Sequence, residues 1–177
     1  MNVRKATVDD ADLIEDLMKR SMKELGEGYY TAEQIASACK YVCVPDLQVI
    51  QDGTYFIVED EGGQAIGCGG WSFRNVLYAG PAPDQKKDTR LNPLKDPARI
   101  RAMFVDPNYS GKGIGSLILE ASEKAAVSMG FTKGFLGATL SGLPFYKKKG
   151  WIEIETEEAK LPDGETIAVV QMIKDLI

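Results

Sequence analysis

The chain has no histidine among its 177 residues. That absence excludes every mechanism built on an imidazole base, the serine–histidine–aspartate triad first among them. Cysteine is scarce as well: Cys39, Cys43 and Cys68 are the whole complement, with no C-x-x-C spacing. Cys39 and Cys43 would share one face of a helix. Without histidine the three read as small buried hydrophobes in a reduced, cytoplasmic protein rather than as a disulfide framework, and no metal is assigned. No apolar run has the length needed to span a bilayer, and Met1-Asn2-Val3-Arg4-Lys5 leads into a charged helix rather than an apolar signal core, so neither a membrane nor an export signal is expected. A basic excess is lacking too. With 21 Lys and Arg against 26 Asp and Glu the net charge is −5, which does not suit a nucleic-acid binder and mildly favours a cationic substrate.

What is present reads as one folded domain over 1–177. Hydrophobic content of 44% and charged content of 27% are ordinary for a globular chain, and at this length a core needs no staples. Residues 3–6 form a short strand. Ala11, Ile14, Leu17, Met18, Met22 and Leu25 recur at helical spacing, and Thr31 with Gln34 has the form of a capping box opening a second helix to about Lys40. Strands are expected at 55–59, 65–73, 99–105, 135–139, 151–154 and 167–172, with helices after the 108–115 turn and from Pro144. The stretch 75–97 reads as a long irregular excursion. The order is βααβββαβαββ, a mixed α/β sheet flanked by helices.

Between a strand and a helix lies Asn108-Tyr109-Ser110-Gly111-Lys112-Gly113-Ile114-Gly115. Glycines there let backbone amides converge, and the helix start adds unpaired N–H groups and the positive end of its dipole, which favours a phosphate. A Walker loop would continue Gly111-Lys112 with Ser or Thr, and here Gly113 follows. A dinucleotide fingerprint belongs to a first βαβ unit with an acidic residue on the next strand. This turn comes after four strands, and the following one ends Gly137-Ala138-Thr139.

Three segments then resemble the GNAT N-acetyltransferases. Arg101 to Asp106 with Pro107, followed by Ser110-Gly111-Lys112-Gly113-Ile114-Gly115, is similar to that family's acetyl-CoA signature. Leu143-Pro144-Phe145-Tyr146-Lys147-Lys148-Lys149-Gly150-Trp151 resembles its Phe-Tyr-x-x-x-Gly-aromatic helix, and Val3-Arg4-Lys5-Ala6-Thr7 with Asp9 and Asp10 its opening strand and helix. The resemblance implies the GNAT acyl-CoA N-acyltransferase fold and direct attack of an amine on acetyl-CoA in a ternary complex. It implies that Met103, Phe104 and Val105 hold the pantetheine, with the amides of Met103 and Val105 polarising the thioester. Ser110, Gly111, Lys112, Gly113, Ile114, Gly115 and Ser116 would take the pyrophosphate, with Ser110 standing where the family often has Gln or Arg. Tyr146 would protonate the departing thiolate, and Phe145 would pack against the cofactor or the core.

Many family members carry a carboxylate general base on the strand before the glycine turn, where this chain has Arg99 and Arg101. A base relayed through water or a carboxylate such as Glu59 is left open. An arginine in the acceptor site would grip a carboxylate or phosphate, so the expected acceptor is a small, carboxylate-bearing amine with Arg101 as its anchor. Tyr29, Tyr30 and Trp71 are further acceptor-side candidates from their positions alone. Alternative readings are a non-catalytic acyl-CoA sensor and a protein or peptide acetyltransferase. A homodimer through the last strands is a further expectation.

Overall fold

The computed structural model describes residues 1–75 and 89–177. Among these, seven strands form one sheet: β1 (Asn2–Lys5), β2 (Tyr55–Glu59), β3 (Ala65–Ser72), β4 (Ala98–Val105), β5 (Lys133–Thr139), β6 (Ile152–Lys160) and β7 (Thr166–Asp175). Five α-helices accompany them: α1 (Ala11–Leu25), α2 (Ala32–Tyr41), α3 (Leu47–Gln51), α4 (Ile114–Ser128) and α5 (Leu143–Lys148). The order across the sheet is β1-β2-β3-β4-β5-β7-β6, antiparallel except where β4 meets β5. No helix among the described residues is long and apolar enough to cross a membrane.

Local signals account for most element ends. Thr31 Oγ1 accepts from Gln34 N at 3.2 Å while Gln34 Oε1 accepts from Thr31 N at 2.9 Å, so the capping box expected from sequence opens α2. The helical stripe of α1 buries Ile14, Leu17, Met18 and Met22. With the two helices that follow, it packs on the sheet face carrying Tyr55, Ile57, Cys68, Ala102 and Phe104. Helix α4 covers the opposite face, setting Ile114, Ile118 and Leu119 among Val58, Ile66, Phe56, Trp71 and Ile100. All three cysteines are buried as thiols, Cys39 and Cys43 in the same core cluster as Cys68.

Two features depart from the sequence expectation. The order contains an additional short helix, α3, absent from βααβββαβαββ; Asp46 caps it by accepting from Gln48 N and Val49 N. Strand β6 runs to Lys160 rather than ending at residue 154. It is an edge strand whose two faces are mostly exposed, so Glu155-Thr156-Glu157-Glu158 lacks the apolar alternation that marks a half-buried strand. Of the 75–97 excursion, residues 76–88 lie outside the described residues. On either side of them, Asn75 N donates to Thr89 O at 2.9 Å and Leu91 N to Phe73 O at 2.8 Å.

Candidate active site

The site begins where two parallel strands part. β4 and β5 pair only through Ala98↔Gly134 and Arg99↔Phe135. Beyond Ile100 and Leu136 they diverge, and a cleft of about 1080 Å³ opens between them. Ile100 to Val105 line one wall, and Leu136, Gly137 and Thr139 the other. Among the described residues, divergence leaves the edge of β4 without a neighbouring strand beyond Arg99, which offers its outward N–H and C=O groups to a ligand.

A bulge shapes that edge. Gly70 pairs with Arg101 and Cys68 with Phe104, so two steps along β3 face three along β4. Ala102 takes up the difference at φ +48°, the one non-glycine residue among those described with positive φ. Gly69 lies against the bulge so closely that a Cβ there would come within 2.6 Å of Met103 Cγ and 2.9 Å of Met103 Cα. Past the bulge, Asp106 N donates to Ile66 O on β3 at 2.9 Å. By the alternation of a strand, the amides of Val105 and Met103 then point to the other edge, toward the cleft.

The glycine turn closes one end. Gly111 and Gly113 sit at φ +75° and +86°, a left-handed conformation costly for a residue with a Cβ, and Gly113 is the N-cap of α4. Helix geometry leaves the amides of Ile114, Gly115 and Ser116 without intrahelical acceptors, and all three residues line the cleft with Ser110, Gly111 and Gly113. The donor set and the dipole end fit a pyrophosphate. Lys112 is not on the cleft wall: its Nζ sits 4.9 Å from the centre of the Tyr109 ring. Tyr109 does line the cleft, and its hydroxyl donates to Asp60 Oδ2 at 3.0 Å.

Helix α5 brings Phe145 and Tyr146 to the same wall. Phe145 packs over the first turn of α4, its ring 3.3 Å from the Cβ that Gly115 lacks. The Tyr146 ring makes edge contacts with Phe145 at 5.1 Å and Trp151 at 6.2 Å between centroids. Burial alone pushes its phenol well above the ordinary value.

The remaining wall comes from segments without motifs. Tyr29 and Gly26 from the α1–α2 connection, Tyr41 and Val42 from the end of α2, and Lys160 to Pro162 with Ile167 and Val169 from the β6–β7 hairpin all face the cleft. Hydrogen bonds tie these two segments together. Tyr30 Oη donates to Ala168 O at 2.8 Å and accepts from Leu140 N at 2.9 Å. Gln34 Nε2 donates to Thr166 O at 2.7 Å, and Ser37 Oγ to Asp163 Oδ1 at 2.8 Å.

The structure therefore gathers Met103, Phe104, Val105, Ser110, Gly111, Gly113, Ile114, Gly115, Ser116, Phe145, Tyr146, Arg101 and Tyr29 around one cleft. It leaves Tyr30 and Trp71 off that wall. Tyr30 spends its hydroxyl on backbone groups, and Trp71 is 1% exposed, packed edge-on against Phe73 and Phe131. Arg101 reaches the wall but is 3% exposed, with Nη2 2.8 Å from Asp46 Oδ2. Glu59 accepts from Arg4 at 2.6 Å and lies off the wall. Sequence reasoning missed Tyr109 within the glycine turn, and Tyr41, Thr139, Ser141 and the β6–β7 turn, which sit in no recognisable spacing.

Comparison with known proteins agrees with this geometry. Residues 51–153 match a family model described as an acetyltransferase (GNAT) domain. Over 162 residues, 90% of this chain and 98% of the relative, the sequence is 24% identical to YjcF of Bacillus subtilis, an uncharacterized N-acetyltransferase. Among solved structures, a GCN5-related N-acetyltransferase of Rhodopseudomonas palustris superposes with a TM-score of 0.72 at 20% identity, covering 98% of this chain and 94% of that one. The PaiA N-acetyltransferase of Thermoplasma acidophilum, solved in complex with coenzyme A, gives 0.71 at 18% identity with 98% of both chains covered.

Proposed function

Because the chain belongs to the GNAT acetyltransferase family, and so is an acyltransferase working with an acyl-CoA, we propose that it moves the acetyl group of acetyl-CoA to the amine of a small metabolite by direct attack. The observation that carries this reading is the parting of β4 from β5 after Arg99. It opens an unpaired strand edge beside the free amides of the α4 start and the Tyr146 phenol.

Acetyl-CoA is a substrate of this reaction. Its pyrophosphate suits the amides of Gly111 to Ser116, and its pantetheine the open edge at Met103 to Val105, where an extended chain can pair as a strand would. A neutral amine adds to the thioester carbonyl, and negative charge gathers on the carbonyl oxygen beside the β4 amides. Collapse breaks the C–S bond and forms the amide. The Tyr146 phenol gives its proton to the departing sulfur and is reprotonated by the proton the amine loses. The products are the N-acetylated acceptor and free coenzyme A.

The small size of the acceptor is supported by the hydrogen bonds from Tyr30, Gln34 and Ser37 to the β6–β7 hairpin. They bind the two sides of the cleft together where a peptide substrate would need an open groove. An acceptor carboxylate held by Arg101 has less support, since Asp46 already neutralises that guanidinium.

The test is thiol release from acetyl-CoA across a panel of amines, with Tyr146→Phe run alongside. Amine-dependent release is expected, with kcat in the variant lower by about 100-fold and the KM for acetyl-CoA little changed. Coenzyme A binding without release on any amine would favour the sensor reading instead.

A further inference from the structure

Tyr55 lies on β2, two strands from the cleft, and is absent from its wall. It is 2% exposed, and its ring passes under β3 at Gly70, where an added Cβ would fall 3.0 Å from Tyr55 Cδ2 and 2.8 Å from its Cα. The ring thereby reaches β4, and Tyr55 Oη donates to the carbonyl oxygen of Ala102 at 2.8 Å. That acceptor belongs to the residue at φ +48°, whose conformation is disfavoured by its own Cβ and must be held by something outside it.

The carbonyl of Ala102 and the N–H of Met103 are one peptide unit. The unit is planar and trans, so the N–H points opposite to the C=O. Clamping the oxygen toward Tyr55 turns the Met103 N–H away from it, consistent with the strand alternation that directs Met103 to the open edge. A hydrogen bond received by the carbonyl also polarises the amide and makes its N–H the stronger donor.

We propose that Tyr55 is a positioning residue for acyl transfer, its hydroxyl aiming the Met103 N–H at the thioester oxygen through the Ala102 carbonyl. The inference rests on the acetyl-transfer reading above. Gly70 is part of the same device, since a side chain there would occupy the path of the ring.

Tyr55→Phe keeps the ring and removes the clamp. Coenzyme A has no thioester carbonyl, so its affinity does not report on this N–H, whereas acetyl transfer does. The expected result is a kcat lower by about tenfold or more, with the calorimetric Kd for coenzyme A within about twofold of wild type. Adding Ala102→Gly, for which the left-handed φ is unstrained, separates aim from stability. The double variant is expected to regain the thermal midpoint lost in Tyr55→Phe while kcat stays low. Wild-type turnover in Tyr55→Phe would overturn the proposal. So would a kcat that falls in step with coenzyme A affinity, or one that recovers together with the midpoint. A wild-type protein that binds coenzyme A but releases no thiol with any amine would instead overturn the acetyl-transfer reading on which the proposal depends.

Discussion

Arg20 Nη1 donates to Oδ2 of Asp106 at 2.5 Å, joining α1 to the residue that opens the glycine turn. Asp106 is 1% exposed, and its other oxygen accepts from Asn108 N at 2.9 Å, capping the short 3-10 turn Pro107–Tyr109. Burial works to raise the carboxyl pKa, but the guanidinium and the amide outweigh it and hold the group below the ordinary value. The glycine turn is thus anchored through a charged pair on a different element, not only through its own backbone.

Arg20→Met should leave that carboxylate buried without its cation. At pH 7 the expected loss is about 2 kcal/mol, the scale for a hydrogen bond to a buried charged group. The sign of the pH dependence follows from the depressed wild-type pKa. The pair's contribution is complete above the unfolded carboxylate value of about 3.9 and is lost as pH falls through the folded one. In the variant the unpaired carboxyl favours protonation, so it is relieved by acid. Urea unfolding at pH 7 and pH 4 should therefore show the gap between the two proteins narrowing at the lower pH. An equal gap at both would mean that Arg20 contributes by packing alone.

Gly69→Ala should strike the bulge directly. The new methyl would meet Met103 Cγ at 2.6 Å and both Met103 Cα and Ile118 Cγ2 at 2.9 Å, and two of those three belong to the residue whose amide faces the cleft. Overpacking of this kind costs about 1–3 kcal/mol. Because β4 is the side that must shift, acetyl transfer should fall further than the stability loss explains. Comparing kcat with wild type at a temperature where both are fully folded checks this.

The part of the cleft proposed for the coenzyme was legible because it is built from backbone geometry. Gly111 and Gly113 take positive φ angles, and Met103 and Val105 turn their amides to the open edge, so a short contiguous spacing marks this wall. The wall proposed for the acceptor has no such record. Tyr29, Tyr41, Lys160 and Ile167 come from three separate segments, and only the packing of α2 against the β6–β7 hairpin brings them together. Arg101 shows the same limit from the other direction. Its place on β4 was readable, but its partner Asp46 lies 55 positions away at the cap of a helix too short to leave a periodic signal. Trp71 lies off the cleft wall, because an aromatic on a β-strand faces core or cleft by parity, which its place in the sequence does not reveal.

Tyr30 tests whether the link across the cleft governs the acceptor. Its hydroxyl uses both capacities on backbone groups, donating to Ala168 O and accepting from Leu140 N, so Tyr30→Phe unpairs a carbonyl and an amide at once. A stability loss of about 1–2 kcal/mol is expected. The link should loosen rather than detach, because Gln34 still closes the α2 capping box through Oε1 while Nε2 holds Thr166 O, and Ser37 still holds Asp163. Tyr29, the neighbour of Tyr30, lines the cleft, whereas the β4 edge and the start of α4 receive no contact from the Tyr30 hydroxyl. The acceptor KM should therefore rise several-fold while that for acetyl-CoA stays within about twofold, a split that steady-state kinetics with both substrates varied will resolve. A parallel rise in both constants would mean that the link supports the cleft as a whole and does not set the acceptor side apart.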